Sequence, residues 1–102
     1  MSLKIEGYTF DGPYPVEQTW RLKNSSGCYV ILTVNYNNKY EIVDCGESEN
    51  VRTRVENHDR EECWIRNNKN GLYVAVLYCS EKQRMAIERI IRQSYTVACG
   101  VR

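Results

Sequence analysis

The sequence predicts an α/β (α+β) domain: a small three-stranded, largely antiparallel sheet flanked by helices. Three observations predict it. Cys28 to Asn35 and Lys39 to Cys45, either side of Asn37-Asn38, are rich in β-branched and aromatic residues. Gly71 to Cys79 carries the continuous run LYVAVLYC, too short for a typical helix. Ser80-Glu81-Lys82-Gln83 is a capping box, the opening of a helix. At 102 residues the chain has room for one domain around one modest core.

Residues 1–26 read as an extension preceding a core of 27–100. Lys4 to Phe10 has the composition of a short strand. Asp11-Gly12-Pro13 is turn chemistry, since Gly allows positive φ and Pro fixes φ. Val16 to Lys23 suits a short helical turn, and Asn24-Ser25-Ser26-Gly27 a loop. In the core, Asn37-Asn38 fits a two-residue hairpin, because Asn tolerates the positive φ of a type I′ turn. That register pairs Tyr36 with Lys39, Thr33 with Ile42 and Ile31 with Asp44. It sets Tyr29 diagonally on the face of Asp44, roughly 7–8 Å away. Ser48 is placed to cap a helix from Glu49 to about Asp59. Arg54 and His58 would then share a face at i,i+4. Gly71 to Cys79 is expected as a central strand. The last helix runs to about Ser94, with Met85, Ile87, Ile90 and Ile91 as its core contacts.

Composition narrows the class. No apolar run approaches the roughly 20 residues that span a bilayer, which argues against a membrane partner. No hydrophobic leader opens the sequence, which argues against export. Five cysteines, an odd number without a C-x-x-C spacing, argue against a disulfide framework and a zinc site. The expectation is a reducing, cytoplasmic protein whose strand cysteines are small buried hydrophobes. Net charge is only +1, but its distribution is uneven. Residues 41–62 hold eight acids against three arginines, and residues 63–102 hold seven bases against two acids.

Several residues in this pattern suggest phosphodiester chemistry. A phenol at Tyr29 can orient or deprotonate a water, with His58 taking the proton, since a phenol near pKa 10 is a poor base unaided. The planar fork of Arg54 matches a phosphate. Glu88 offers an oxygen to a hard divalent cation. Each also has an ordinary structural reading. Tyr29 reads as a half-buried strand tyrosine, Arg54 as a solvated helix residue, and His58 as a capping cation. Asp44 reads as a turn cap, and Glu88 as a rung between Arg84 and Arg92 at i−4 and i+4.

The order and spacing of these residues resemble the GIY-YIG nuclease superfamily over about residues 24–100. Gly27-Cys28-Tyr29 stands where that family has GIY, and Asp44-Cys45-Gly46 where it has YIG. Gly46 to Arg54 is similar to its G-x-S-x-N-L-x-x-R segment, His58 follows four residues later, and Glu88 lies in AIERIIRQSY. The resemblance implies a divalent-metal-dependent endonuclease acting on DNA. Tyr29, Arg54, His58 and Asp44 would be catalytic, and Mg²⁺ (or Mn²⁺) would be held by Glu88. The chain departs from the pattern at Asp44, where the family has its second tyrosine, and at Cys99-Gly100, near which many members carry an asparagine. Asp44 therefore keeps a second reading open: a catalytically degenerate module that binds nucleic acid or a protein partner without cutting. A plain interaction domain is a third. If the chain binds DNA, Arg84, Arg89, Arg92, Arg66 and Lys69 are the basic residues expected to line the approach.

Overall fold

The computed structural model describes residues 1–100. β1 (Ser2–Ile5), β2 (Tyr8–Pro15), β3 (Gly27–Val34), β4 (Tyr40–Ser48) and β5 (Leu72–Tyr78) form one antiparallel sheet. Its order is β1-β2-β5-β3-β4. The sheet therefore has five strands rather than three. Residues 1–26 supply the additional two. Glu6 and Gly7 take positive φ (51° and 81°) and turn β1 tightly onto β2, with Ile5 opposite Tyr8. Asp11-Gly12-Pro13 does not end the strand. It lies within β2, where the pairing with β5 shifts register between Asp11 and Tyr14, as suits a proline that lacks a ladder donor. A 3-10 turn, Thr19–Arg21, follows.

β5 is central, flanked by β2 and β3, as its unbroken apolar run requires. Side chains alternate between two cores. One face carries Tyr29, Ile31, Val43, Val74 and Val76 under Val51, Val55 and Trp64. The other carries Cys28, Val30, Leu32, Cys45 and Ala75 under Ile87 and Ile91. Helices α1 (Val51–Glu56) and α2 (Glu61–Arg66) thus cover the first face, and α3 (Glu81–Ser94) the second.

The β3–β4 turn is longer than two residues. Asn35 Oδ1 accepts from the backbone N–H groups of Asn37 (2.9 Å) and Lys39 (3.0 Å), and Asn38 takes φ 61°. Thr33 consequently pairs with Glu41, not Ile42. An irregularity between Ile31 and Leu32 restores the expected pair Ile31–Asp44 and sets Tyr29 opposite Gly46.

The helix after β4 is shorter than its sequence pattern implies. α1 stops at Glu56, so Arg54 and His58 do not share a helix face; His58 lies in the loop before α2. Its N-cap is Asn50, while Ser48 Oγ accepts the Asn50 N–H at 3.0 Å. The preceding loop serves the first turn instead. Asn24 Oδ1 accepts the Thr53 N–H (3.1 Å) and the Ser25 carbonyl accepts the Val51 N–H (3.1 Å). α3 opens with the expected capping box at Ser80 and Gln83. Ile87 and Ile91 are its buried residues, whereas Ile90 is half-buried and Met85 is 47% exposed.

Cys63 of α2 and Cys99 beyond α3 form a disulfide, contrary to the reading of the cysteines as free thiols; Cys28, Cys45 and Cys79 are free. Among the described residues no helix is long and apolar enough to cross a membrane.

Candidate active site

Two glycines set the position of Tyr29. A Cβ at Gly46 would lie 2.3 Å from Tyr29 Oη, and one at Gly27 would lie 2.6 Å from the Leu77 carbonyl oxygen. Only glycine lets β3 approach β5 this closely at Gly27, and lets the Tyr29 ring lie across β4 at Gly46. Tyr29 is buried, and it contributes to the wall of a cavity of about 330 Å³. Gly46 and Glu47 of β4, Arg54 of α1 and Arg60 complete one side; Met85, Glu88 and Arg89 of α3 complete the other. α3 packs on the face of the sheet opposite Tyr29. Glu88 nevertheless shares the cavity, because β4 is an edge strand and the two faces meet around it.

His58 stands behind Tyr29, with Tyr29 Oη 2.6 Å from His58 Nε2. The backbone N–H of Arg60 donates to His58 Nδ1 at 3.0 Å. A neutral ring whose Nδ1 accepts must carry its proton on Nε2. Nε2–H therefore donates to Tyr29 Oη, and His58 has no lone pair left for the phenol's proton. Burial, with the Arg54 and Arg60 charges, pushes the His58 pKa down to about 4, so the ring is neutral near pH 7. Burial pushes the Tyr29 phenol up to about 12, against the guanidiniums of Arg54 and Arg60, which pull it down. The relay in which His58 takes a proton from Tyr29 is thus replaced by one in which both groups are donors.

Asp44 does not line the cavity. It is fully buried, and five hydrogen bonds take up its two oxygens. Oδ1 accepts from the Cys45 N–H (2.8 Å), Arg60 Nη2 (3.3 Å) and Arg92 Nη2 (3.0 Å). Oδ2 accepts from Arg60 Nε (2.9 Å) and Trp64 Nε1 (2.8 Å). Two arginines compensate its charge, so it neither meets a phosphate nor offers an oxygen to a metal from this position. Arg60 and Trp64 are the residues that sequence reasoning missed. The only signal for them was an uncompensated acid in a strand, and that signal names no partner.

The basic residues divide. Arg89 is exposed and on the cavity wall. Arg84 is tied to Glu47 (2.9 Å) and Ser26 Oγ (2.8 Å). Arg92 is a strut: it binds Asp44, Glu88 Oε2 (2.7 Å) and the Cys45, Cys99 and Gly100 carbonyls. Lys69 pairs with Glu41 at 2.6 Å beside Thr33, at the far end of β3 from Tyr29. Arg66 is exposed at the end of α2 but does not contribute to the wall. The five therefore do not form one approach.

Charge on the cavity wall runs opposite to the local sequence count. Arg54, Arg60 and Arg89 face Glu47 and Glu88 there, an excess of cation. Three of the acids of residues 41–62 are spent elsewhere: Asp44 in the core, Glu41 on Lys69, and Glu56 on Arg52 and Thr19. Glu47 stays on the wall, and Asp59 pairs with Arg54 at 3.0 Å. Among the described residues no group of three or more His, Cys, Asp or Glu side chains is placed to hold a metal ion.

Comparisons with protein-family models, with curated proteins and with solved structures gave no significant match.

Proposed function

We propose that this chain is a GIY-YIG-like endonuclease, divalent-metal-dependent, that hydrolyses DNA phosphodiester bonds. One observation carries the reading: Tyr29 from β3, Arg54 from α1 and Glu88 from α3 line a single cavity, with His58 hydrogen-bonded to Tyr29 from behind. Three separate elements contribute to one concave, arginine-rich surface, which suits a phosphate whose charge grows on the way to the transition state.

The roles follow from the protonation states. Arg54 clamps a phosphate oxygen through its fork. Tyr29 keeps its proton near neutral pH. Because Nε2–H of His58 already occupies its oxygen from behind, the Tyr29 hydroxyl hydrogen is available to a phosphate oxygen or the attacking water in the cavity. His58 steadies that hydroxyl and stabilises any negative charge it acquires. Glu88 is the residue that would hold Mg²⁺ or Mn²⁺. The donor set suits such an ion, which commonly takes one or two carboxylates and completes its shell with water and substrate oxygens. The ion would offset charge on the scissile phosphate.

Binding without cleavage is the second reading. It is favoured by the Glu88 carboxylate's contact with Arg92 at 2.7 Å, which competes with a metal. Incubation of the protein with supercoiled plasmid, with and without Mg²⁺ or Mn²⁺, separates the two. Nicking that requires the metal and is lost in Glu88→Ala supports the nuclease. A plasmid that shifts on a gel but is never nicked supports the binding module.

A further inference from the structure

We propose that Arg60 is a second phosphate clamp of this cavity and that Asp44 is the positioning residue that holds it. The proposal rests on the phosphate reading of the cavity but not on cleavage. Arg60 docks on Asp44 through two of its nitrogens, Nε at 2.9 Å and Nη2 at 3.3 Å. That leaves Nη1 outside the pairing with Asp44, on a side chain 28% exposed and on the cavity wall. One edge of the fork is fixed in the core and the other edge is presented to the cavity.

The mount is rigid. Asp44 is itself immobilised by Arg92, Trp64 and the Cys45 N–H. The tail packs directly on the guanidinium, where a Cβ at Gly100 would lie 2.9 Å from Arg60 Cζ and Nε. A guanidinium held this way gives up little side-chain freedom on binding, and an arginine edge matches a tetrahedral anion in geometry as well as charge. Tyr29, Arg54 and Arg60 all line the same cavity, so the phenol and the two guanidiniums share one concave surface. The ligand class is a phosphate oxygen pair, supplied by a nucleic-acid backbone or by free phosphate.

The test measures binding without divalent metal, so that it is independent of cleavage. A short DNA duplex is titrated by fluorescence anisotropy across a range of salt, and inorganic phosphate is titrated separately by calorimetry. In Arg60→Lys the ammonium can pair with Asp44 but cannot at the same time reach the cavity. Its duplex affinity is expected to fall about tenfold or more, as for loss of a charged hydrogen bond. The slope of log affinity against log salt should fall by about 1, the signature of one lost phosphate contact. Arg60→Gln should behave alike; if it fails to fold, Arg60→Lys carries the test. Asp44→Asn, checked for folding by circular dichroism, should weaken binding while Arg60 still contributes to the slope. Arg52→Gln, on the exposed side of α1, should change neither. Duplex binding with phosphate binding absent assigns the clamp to the nucleic-acid backbone; phosphate binding alone assigns it to a free anion. Wild-type affinity and slope in Arg60→Lys would overturn the proposal, as would a wild-type protein that binds neither probe. A wild-type protein that binds but does not nick plasmid overturns only cleavage.

Discussion

A neutral imidazole sealed behind a phenol makes the stability of this protein depend on pH. His58 has a folded pKa of about 4 against an ordinary value of 6.5. Between those values the unfolded chain binds the extra proton and the folded one does not. Stability is therefore complete above pH 6.5 and is lost as pH falls toward 4, by on the order of 3 kcal/mol. Urea unfolding at pH 7 and pH 5 should show it, and His58→Gln should flatten the difference; equal slopes in both proteins would refute the assignment. Gly46 gives a second prediction at this scale. A methyl group there meets the Tyr29 ring, so Gly46→Ala should cost about 1–3 kcal/mol by overpacking. It should also push the Tyr29 hydroxyl aside and, in the proposed nuclease, lower nicking as far as Tyr29→Phe does. A Gly46→Ala protein with full activity would mean that the position of Tyr29 is unimportant.

At the scale of elements, β4 carries the feature that most changes the reading of the sequence. Asp44 departs from the expected phenol, and its position in β4 beside α2 and α3 explains what it does instead. Its partners Arg60, Trp64 and Arg92 come from the loop before α2, from α2 and from α3. Removing the carboxylate would leave two guanidiniums beside an apolar core. Asp44→Ala should therefore destabilise the fold by about 3–5 kcal/mol, the usual range for breaking a buried pair from one side. Asp44→Tyr should do no better, since a phenol cannot serve both arginines. A thermal melt of either variant within a degree or two of wild type would show that the network contributes nothing. What was legible in the sequence follows the range of the interactions. The Ser80–Gln83 box and α3 were readable because the contacts span three or four residues. The strand character of β3, β4 and β5 was readable from composition. The role of Asp44 was not, because its three partners are 16, 20 and 48 residues away. β2 likewise needed β5, more than 50 residues on, to become part of the sheet. α1 is shorter than its sequence implies because its pattern of side chains continues past the point where Asn57 caps it.

At the scale of the whole molecule, the tail after α3 joins the two faces of the sheet. α3 packs on one face and α2 on the other, and the Cys63–Cys99 disulfide links α2 to the tail across 36 residues of sequence. The Cys99 N–H donates to the Val43 carbonyl at 2.9 Å, and Arg92 Nη1 donates to the Cys99 (3.3 Å) and Gly100 (3.0 Å) carbonyls. The tail is thus a lid on the Arg60–Asp44–Arg92 cluster, and the disulfide fixes it there. No spacing rule revealed this pair, because an odd cysteine count is compatible with one bridge and three thiols. Closing a loop of this length restricts the unfolded chain, so reduction or Cys63→Ser should cost about 2–4 kcal/mol. The same change should also act on the cavity. With the tail released, Gly100 no longer covers the Arg60 guanidinium, and duplex affinity should drop with it under conditions where the protein remains folded. Unfolding midpoint and duplex affinity, each measured with and without a reductant, check both consequences. A lower midpoint with unchanged affinity would make the disulfide a staple alone. An unchanged midpoint would mean that the hydrogen bonds of the tail hold it in place unaided.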